Sequence, residues 1–335
     1  MKKRCGYISV YILIIMFILM IMIYSLIHIT DMGNHISLNT INNTQSFYIA
    51  EGKIFMVLYD KYFDKEFYPF VADVLRGSKV NSKEILLDNV DLDKHETPTK
   101  LKLSLVREKG RMKFELKSEA NYKGIKTSLI SIGNLINDYF ELGIPILSPS
   151  KARDSLDTYY KLLDTIFNEK DKYMDNIHEN IYIGQFSSFD RYYLDKNKHN
   201  SYLFAFRENM SEPYVEYIDK DNMILFLSKS GNNTTELIIG NEEDLNKIIE
   251  LNGLLIVEGN IVVFNKLNFN GILILKDGDI IVMSEEKPSI NGLVISNNDL
   301  SEENINAIYN IDNIYKFGVY LPGFIEPKIL LIKSN

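Results

Sequence analysis

The chain of 335 residues has one cysteine, no tryptophan, five histidines and eight prolines. Its single cysteine, Cys5, lies among the first six residues. Everything downstream must therefore hold together by packing and hydrogen bonds, without disulfides. The histidines (His28, His35, His95, His178 and His199) are scattered, with no i,i+4 pair, so zinc is not expected. There is no H-E-x-x-H, P-loop, dinucleotide glycine fingerprint or G-x-S-x-G, and no cofactor is expected. Basic charge is also in deficit. Lys plus Arg number 37 against 45 Asp plus Glu, for a net charge of −8, and the one dense basic cluster is Lys2-Lys3-Arg4. Phosphate binding needs a concentrated basic patch, so nucleic acid is not an expected partner.

Carboxylates are plentiful but unpatterned. Asp88, Asp91 and Asp93, like Asp219 and Asp221, miss the spacing of a calcium loop and read as solvated acidic turns. Nothing in the sequence places an acid/base pair in one cleft, so an enzyme is not expected. The 21 tyrosines are expected mainly in cores, with surface adhesion the functional alternative.

What is present begins at Tyr7. From there to Ile29 the chain is apolar, broken only by Ser9, Tyr11, Tyr24, Ser25 and His28. About 20 apolar residues cross a hydrocarbon core, so this run is long enough to span. It exceeds a usual signal-peptide core, and no small-residue cleavage site follows it. The cations before it and Asp31 after it keep the N-terminus cytoplasmic, with everything beyond Thr30 outside. Three fates are open: a cut after the run, no cut, or a cut before it at Gly6. Further on, Ile41, Tyr48 and Phe55, with Gln45, Gly52 and Tyr59 between them, fall on one helical stripe. A helix from Tyr7 to Asp60 would be about 80 Å long. Half of it would sit in lipid and half against an extracellular domain.

Two features here resemble known proteins. The basic leader ending in Gly6, followed by an aromatic residue that opens the apolar run, resembles the class III signal of type IV prepilins. The segment Phe47-Tyr48-Ile49-Ala50-Glu51-Gly52 is similar to one found in PilX-like and K-type minor pilins, with the glycine one place early. The resemblance implies cleavage after Gly6 by a prepilin peptidase and methylation of the new amine on Tyr7. It also implies assembly contacts at Phe47, Tyr48, Glu51 and Gly52. Most pilins carry a glutamate five residues into the mature chain; here that position is Tyr11. K-type subunits at the filament tip lack this glutamate too, so Tyr11 implies a tip position, although an uncleaved anchor would equally lack it.

Lys100–Glu108 and Arg111–Tyr122 alternate apolar and polar residues around Lys109-Gly110, which predicts a hairpin; 125–132 supplies a third strand. Pro145 and Pro149 mark a boundary, and Ala152, Leu156, Tyr159, Tyr160, Leu163, Ile166 and Phe167 fit an amphipathic helix. A repeat follows. Asn-Gly recurs with glycines at Gly253, Gly271 and Gly292, steps of 18 and 21 residues, each pair opening short apolar strands (254–257 with 261–264, 272–275 with 280–283). Such strands are usually covered on both faces, and this step predicts stacked coils of a small parallel β-helix with Gly at the corners. Asn-Gly hairpins are the alternative. The module also resembles Asn-Gly-rich repeats of PilX-like proteins of Gram-positive bacteria. The final run, 328–333, is expected to join or cap it.

The expected fold is α+β: a long N-terminal transmembrane helix with an antiparallel pilin-type sheet, then a β-rich module of parallel β-helix-like repeats. The expected divisions are a leader (1–6), a transmembrane half-helix (7–30), a helix half with the pilin-like sheet (31–147), a connection (148–200) and the β-repeat domain (201–335). The resemblance implies a minor pilin at or near the tip. Its partners would be other minor and major pilins, prepilin peptidase and the cytoplasmic membrane, and its C-terminal part would be extracellular and later carried on the pilus. A single-pass envelope scaffold with a self-associating β-helix is the alternative.

Overall fold

The computed structural model describes residues 4–88, 100–152, 155–169, 180–197, 200–229, 234–242 and 247–334, with 4–6 given by their backbone alone. One helix, α1 (Arg4–Tyr59), contains no proline over its 56 residues. A π-helical turn at Phe63–Phe67 follows, and then α2 (Tyr68–Leu75), whose proline lies in the first turn, where a missing N–H costs nothing. Helix α1 turns Ser46, Ala50, Lys53, Ile54, Val57 and Leu58 inward, all at most 2% exposed. Full burial of an aliphatic side chain such as Ile54 contributes about 1.5–3 kcal/mol.

That stripe meets an antiparallel sheet of β1 (Ser82–Leu86), β2 (Lys100–Glu108), β3 (Arg111–Tyr122) and β4 (Ile125–Ile136). Strict alternation buries Leu101, Leu103 and Leu105 on β2 and Met112, Phe114 and Leu116 on β3. The two hairpin turns, Lys109-Gly110 and Lys123-Gly124, have positive φ at both central residues, the two-residue geometry that matches strand twist. The α+β class and the hairpin therefore appear as expected.

The chain then leaves this sheet and builds a parallel β-helix. After β5 (Ile146–Leu147) and α3 (Leu156–Asn168) come β6 (Ile181–Phe186), β7 (Arg191–Asn197), β8 (Asn200–Phe206), β9 (Tyr214–Ile218), β10 (Asn222–Leu227) and β11 (Thr235–Ile239). Next are β12 (Ile248–Val263), β13 (Lys266–Lys276), β14 (Ile280–Val282), β15 (Ser289–Ser296), β16 (Asn306–Tyr309) and α4 (Ile311–Gly318). One face stacks β6, β10, the first part of β12, β13, β15 and β16 in parallel register. The second face stacks β7, β11, the end of β12 and β14, and β8 and β9 extend it antiparallel from β7.

Parallel register excludes the hairpin alternative: Gly253 lies opposite Gly271 and Gly271 opposite Gly292. The expected pair 254–257 and 261–264 is one continuous strand, β12, which serves both faces. The first face is covered on both sides. Leu225, Leu255 and Leu273 point into the β-helix, whereas Ile224, Ile256 and Ile274 join a core with α3 and α4. Tyr159 Oη on α3 donates to Ser296 O on β15 at 2.6 Å and ties the helix down.

Two expected boundaries move. The last strand, β17 (Ile325–Ser334), pairs antiparallel with β4 in the first sheet rather than joining the repeats. There β17 is an edge strand with register shifts, and Leu330 and Leu331 are 58% and 51% exposed. Likewise β6 and β7, inside the expected connection, are coils of the β-helix, and β5 pairs with β15. The repeat module is thus an insertion between two neighbouring strands of the first sheet.

Candidate assembly site on the long helix

Helix α1 is long and apolar enough to cross a membrane. Between Tyr7 and Ile29 its large apolar side chains are about half or more exposed, including Tyr7 at 74% and Tyr11 at 67%. No carboxylate interrupts this run. The first is Asp31, which pairs with His35 one turn on (3.8 Å). Thr30 Oγ1 donates back to Leu26 O at 2.8 Å, so its hydroxyl is satisfied within the helix. Gly6 lies in the helical backbone at the head of the run.

The stripe read from the sequence turns out to be the outward one. Ile41, Tyr48, Phe55 and Tyr59 are all exposed, as is Gln45. The stripe that docks on the sheet mixes Ser46, Ala50 and Lys53 with Ile54, Val57 and Leu58, so its first turns give no apolar signal and periodicity selected the other side. Ser46 Oγ donates to Ile125 O (3.2 Å), and Lys53 Nζ reaches Glu119 O (2.8 Å). Lys53, which the sequence reading did not single out, is 2% exposed here.

Phe47 and Tyr48 meet edge to face at 6.0 Å between centroids, and Phe55 stacks on Tyr59 at 5.9 Å. Glu51 is half-buried, and the space where a Gly52 Cβ would stand is open. A shallow groove of about 500 Å³ runs beside Phe47 and Tyr48, bounded by Lys126 and Ser128 of β4 and Ser334 of β17. The structure therefore gathers Phe47, Tyr48, Glu51 and Gly52 on adjoining turns, while Tyr7 and Tyr11 stand further along the same helix.

The repeat glycines form a separate column. Asn252, Asn270 and Asn291, each preceding one of them, stack in register. Asn270 Nδ2 donates to Asn252 Oδ1 (2.9 Å) and Asn291 Nδ2 to Asn270 Oδ1 (3.1 Å). Asn222 extends the register by one coil, opposite Asn252, with Met223 where the others have glycine. Sequence reading missed that coil because it followed the glycine and not the asparagine.

Asp219 and Asp221 are exposed, while Asp91, Asp93, His95, His178 and His199 lie outside the described residues. Among the described residues no group of three or more His, Cys, Asp or Glu could hold a metal. One buried acid does stand out. Glu141, its side chain 1% exposed, accepts from Tyr315 Oη of α4 and from Met112 N (3.4 Å), with Arg111 Nε 3.9 Å away. Burial raises its carboxyl above the ordinary range, against the lowering pull of Tyr315, Met112 N and Arg111. Burial likewise pushes nearby Tyr309 up to about 12. This acid–phenol contact joins the turn after β4 to α4, and the Met112 amide links the same acid to β3.

No protein-family model matches the chain, and no curated protein matches it. Among solved structures, the competence-associated pilin ComZ from Thermus thermophilus aligns over 88% of this chain and 97% of its own, at 10% identity and a TM-score of 0.25. A likeness that weak carries no argument, and the functional reading rests on the chain itself.

Proposed function

We propose that this chain is a minor pilin of a type IV pilus, of the PilX-like or K-type kind, processed after Gly6 and methylated on Tyr7. One observation carries the reading: α1 has two halves with opposite needs. Tyr7–Ile29 is apolar all round and bare, which requires lipid or other apolar helices. The continuation of the same helix buries one stripe against an antiparallel sheet and leaves the Tyr48–Tyr59 stripe open. A helix of this kind can leave the membrane for a filament without refolding its outer domain.

Tyr11 supports a place at the tip. Position 11 lies one turn into the apolar run, where an unpaired carboxylate would be costly, so pilins that carry one need a neighbour's amine. A subunit with tyrosine there needs no such neighbour above it. The partners are then other minor and major pilins below, prepilin peptidase during maturation and the cytoplasmic membrane before assembly. The two outer modules would be displayed outside the cell. The work is structural, with no catalytic step.

The test is recovery of the chain in sheared surface filaments from cells with and without prepilin peptidase. Filament-borne protein found only with the peptidase is expected. The rival is an uncleaved single-pass scaffold associating through its β-helix ends, where β6 pairs on one side only among the described residues. It predicts membrane-bound homopolymers under both conditions.

A further inference from the structure

Among the described residues, helices cover the β-helix on its first face alone. On the second face the inward residues Tyr192, Leu194, Leu203, Leu237 and Ile261 fill the core. Their outward neighbours form a ladder in register, Val215–Phe204–Tyr193–Ile238–Val262–Ile281, across six successive strands, buried at Ile238 and Val262 in its middle and open towards Val215 at one end. At about 4.8 Å per strand it runs for roughly 24 Å. Aromatic rings thicken one end. Tyr193 meets Phe206 at 5.2 Å between centroids, and Tyr202 meets Tyr217 at 5.4 Å. Tyr217 and Val215 are each 50% exposed.

This end is a groove of about 990 Å³, lined by Tyr193, Phe204 and Phe206 and flanked by polar groups already locked to one another. Arg191 Nε holds Glu236 Oε2 at 2.8 Å, Lys247 Nζ holds Asp195 Oδ1 at 2.6 Å, and Lys229 pairs with Asp190. Arg207 lies over the Phe189 ring at 4.6 Å and donates to Ser188 O. The lining itself carries Arg191, Arg207 and Lys229 against Asp190, Asp195, Glu208 and Glu236, so it offers no net positive charge.

These features select a ligand class. A nucleic acid or other polyanion needs net positive potential, which paired charges do not supply. A protein partner would call for an interface core depleted of charge, not rings alternating with ion pairs. A sugar ring has an apolar C–H face and a hydroxyl edge. Its face suits the electron-rich face of an aromatic ring, and its edge suits fixed charged donors and acceptors.

We propose that this face binds a neutral oligosaccharide, with sugar rings on Tyr193, Phe204 and Phe206 and hydroxyls on Arg191, Glu236 and Asn260. The inference rests on the β-helix alone and would hold equally for a pilin or a scaffold. Its test is the full-length chain in detergent on a printed array of neutral and acidic glycans, followed by titration with the best neutral hit. Binding confined to neutral glycans is expected. Tyr193→Ala should weaken it about threefold to tenfold, the worth of one ring contact. Should Tyr193→Ala misfold, Phe206→Ala in the same groove serves instead. The proposal is overturned by an array with no neutral hit, by binding to acidic glycans alone, or by affinity unchanged in the folded variants. Self-association abolished by the same substitutions, without glycan binding, would overturn it in favour of a second copy of the chain.

Discussion

Gly253 and Gly271 face each other across neighbouring coils so closely that a Cβ on Gly271 would lie 1.8 Å from the Gly253 carbonyl oxygen. Gly271 also has φ +150°, which side-chain-bearing residues rarely adopt. Gly271→Ala should therefore destabilise the β-helix by at least the roughly 1–3 kcal/mol of a forced backbone conformation. Gly52→Ala, in an open helix interior, should be neutral or add about 0.5–1 kcal/mol. Thermal melts of the two variants should move in opposite directions or differ by several degrees. Equal shifts would contradict the column.

The asparagine ladder beside that column makes a second prediction. Asn270 both donates to Asn252 and accepts from Asn291, so Asn270→Ala breaks two hydrogen bonds at about 0.5–1.5 kcal/mol each. Asn291→Ala cuts only the bond to Asn270 and leaves the Asn270–Asn252 bond in place. Urea unfolding should rank Asn270→Ala below Asn291→Ala.

Much of the architecture was legible because it repeats or alternates. The β2–β3 hairpin follows from period-two burial around Lys109-Gly110, and the coils follow from the Asn-Gly steps. Sequence failed where a contact is made between elements far apart in the chain. The run 328–333 looks like a buried strand, yet its place at the edge beside β4 depends on a partner about 200 residues earlier. Lys53 looks solvent-facing, yet its ammonium reaches a carbonyl of β3. The apolar stripe with Tyr48 and Phe55 was found correctly, but periodicity could not say which side meets the sheet. The outward ladder of the second face was invisible because its six residues come from six strands and become neighbours only through register.

Glu141 gives the pH prediction. Its neighbours are Tyr315 of α4, Arg111 and the Met112 amide of β3, with Asp138 and Tyr309 close by. A raised carboxyl pKa means that the fold favours the protonated acid. The stability it adds is present at low pH and is lost as pH rises through the raised value. Glu141→Gln keeps the neutral form at every pH. The variant should match the parent near pH 4 and exceed it near pH 8 in thermal melts. A parent that gains on the variant as pH rises would contradict the assignment.

The exposed stripe of α1 should matter to assembly and not to folding. Tyr48 is 59% exposed, and its ring touches Phe47 within the same helix. Tyr48→Arg should leave the stability of the outer domain within about 0.5 kcal/mol of the parent, as surface changes usually do. It should still deplete the chain from sheared filaments. Loss of both stability and incorporation would place Tyr48 in the fold instead.

The most direct measurement is the intact mass of the chain from membranes, with and without co-expressed prepilin peptidase. The account predicts loss of residues 1–6, including Lys2, Lys3, Arg4 and Cys5, and the gain of one methyl group on Tyr7. An unprocessed mass in the presence of active peptidase would contradict it and leave α1 as a plain membrane anchor.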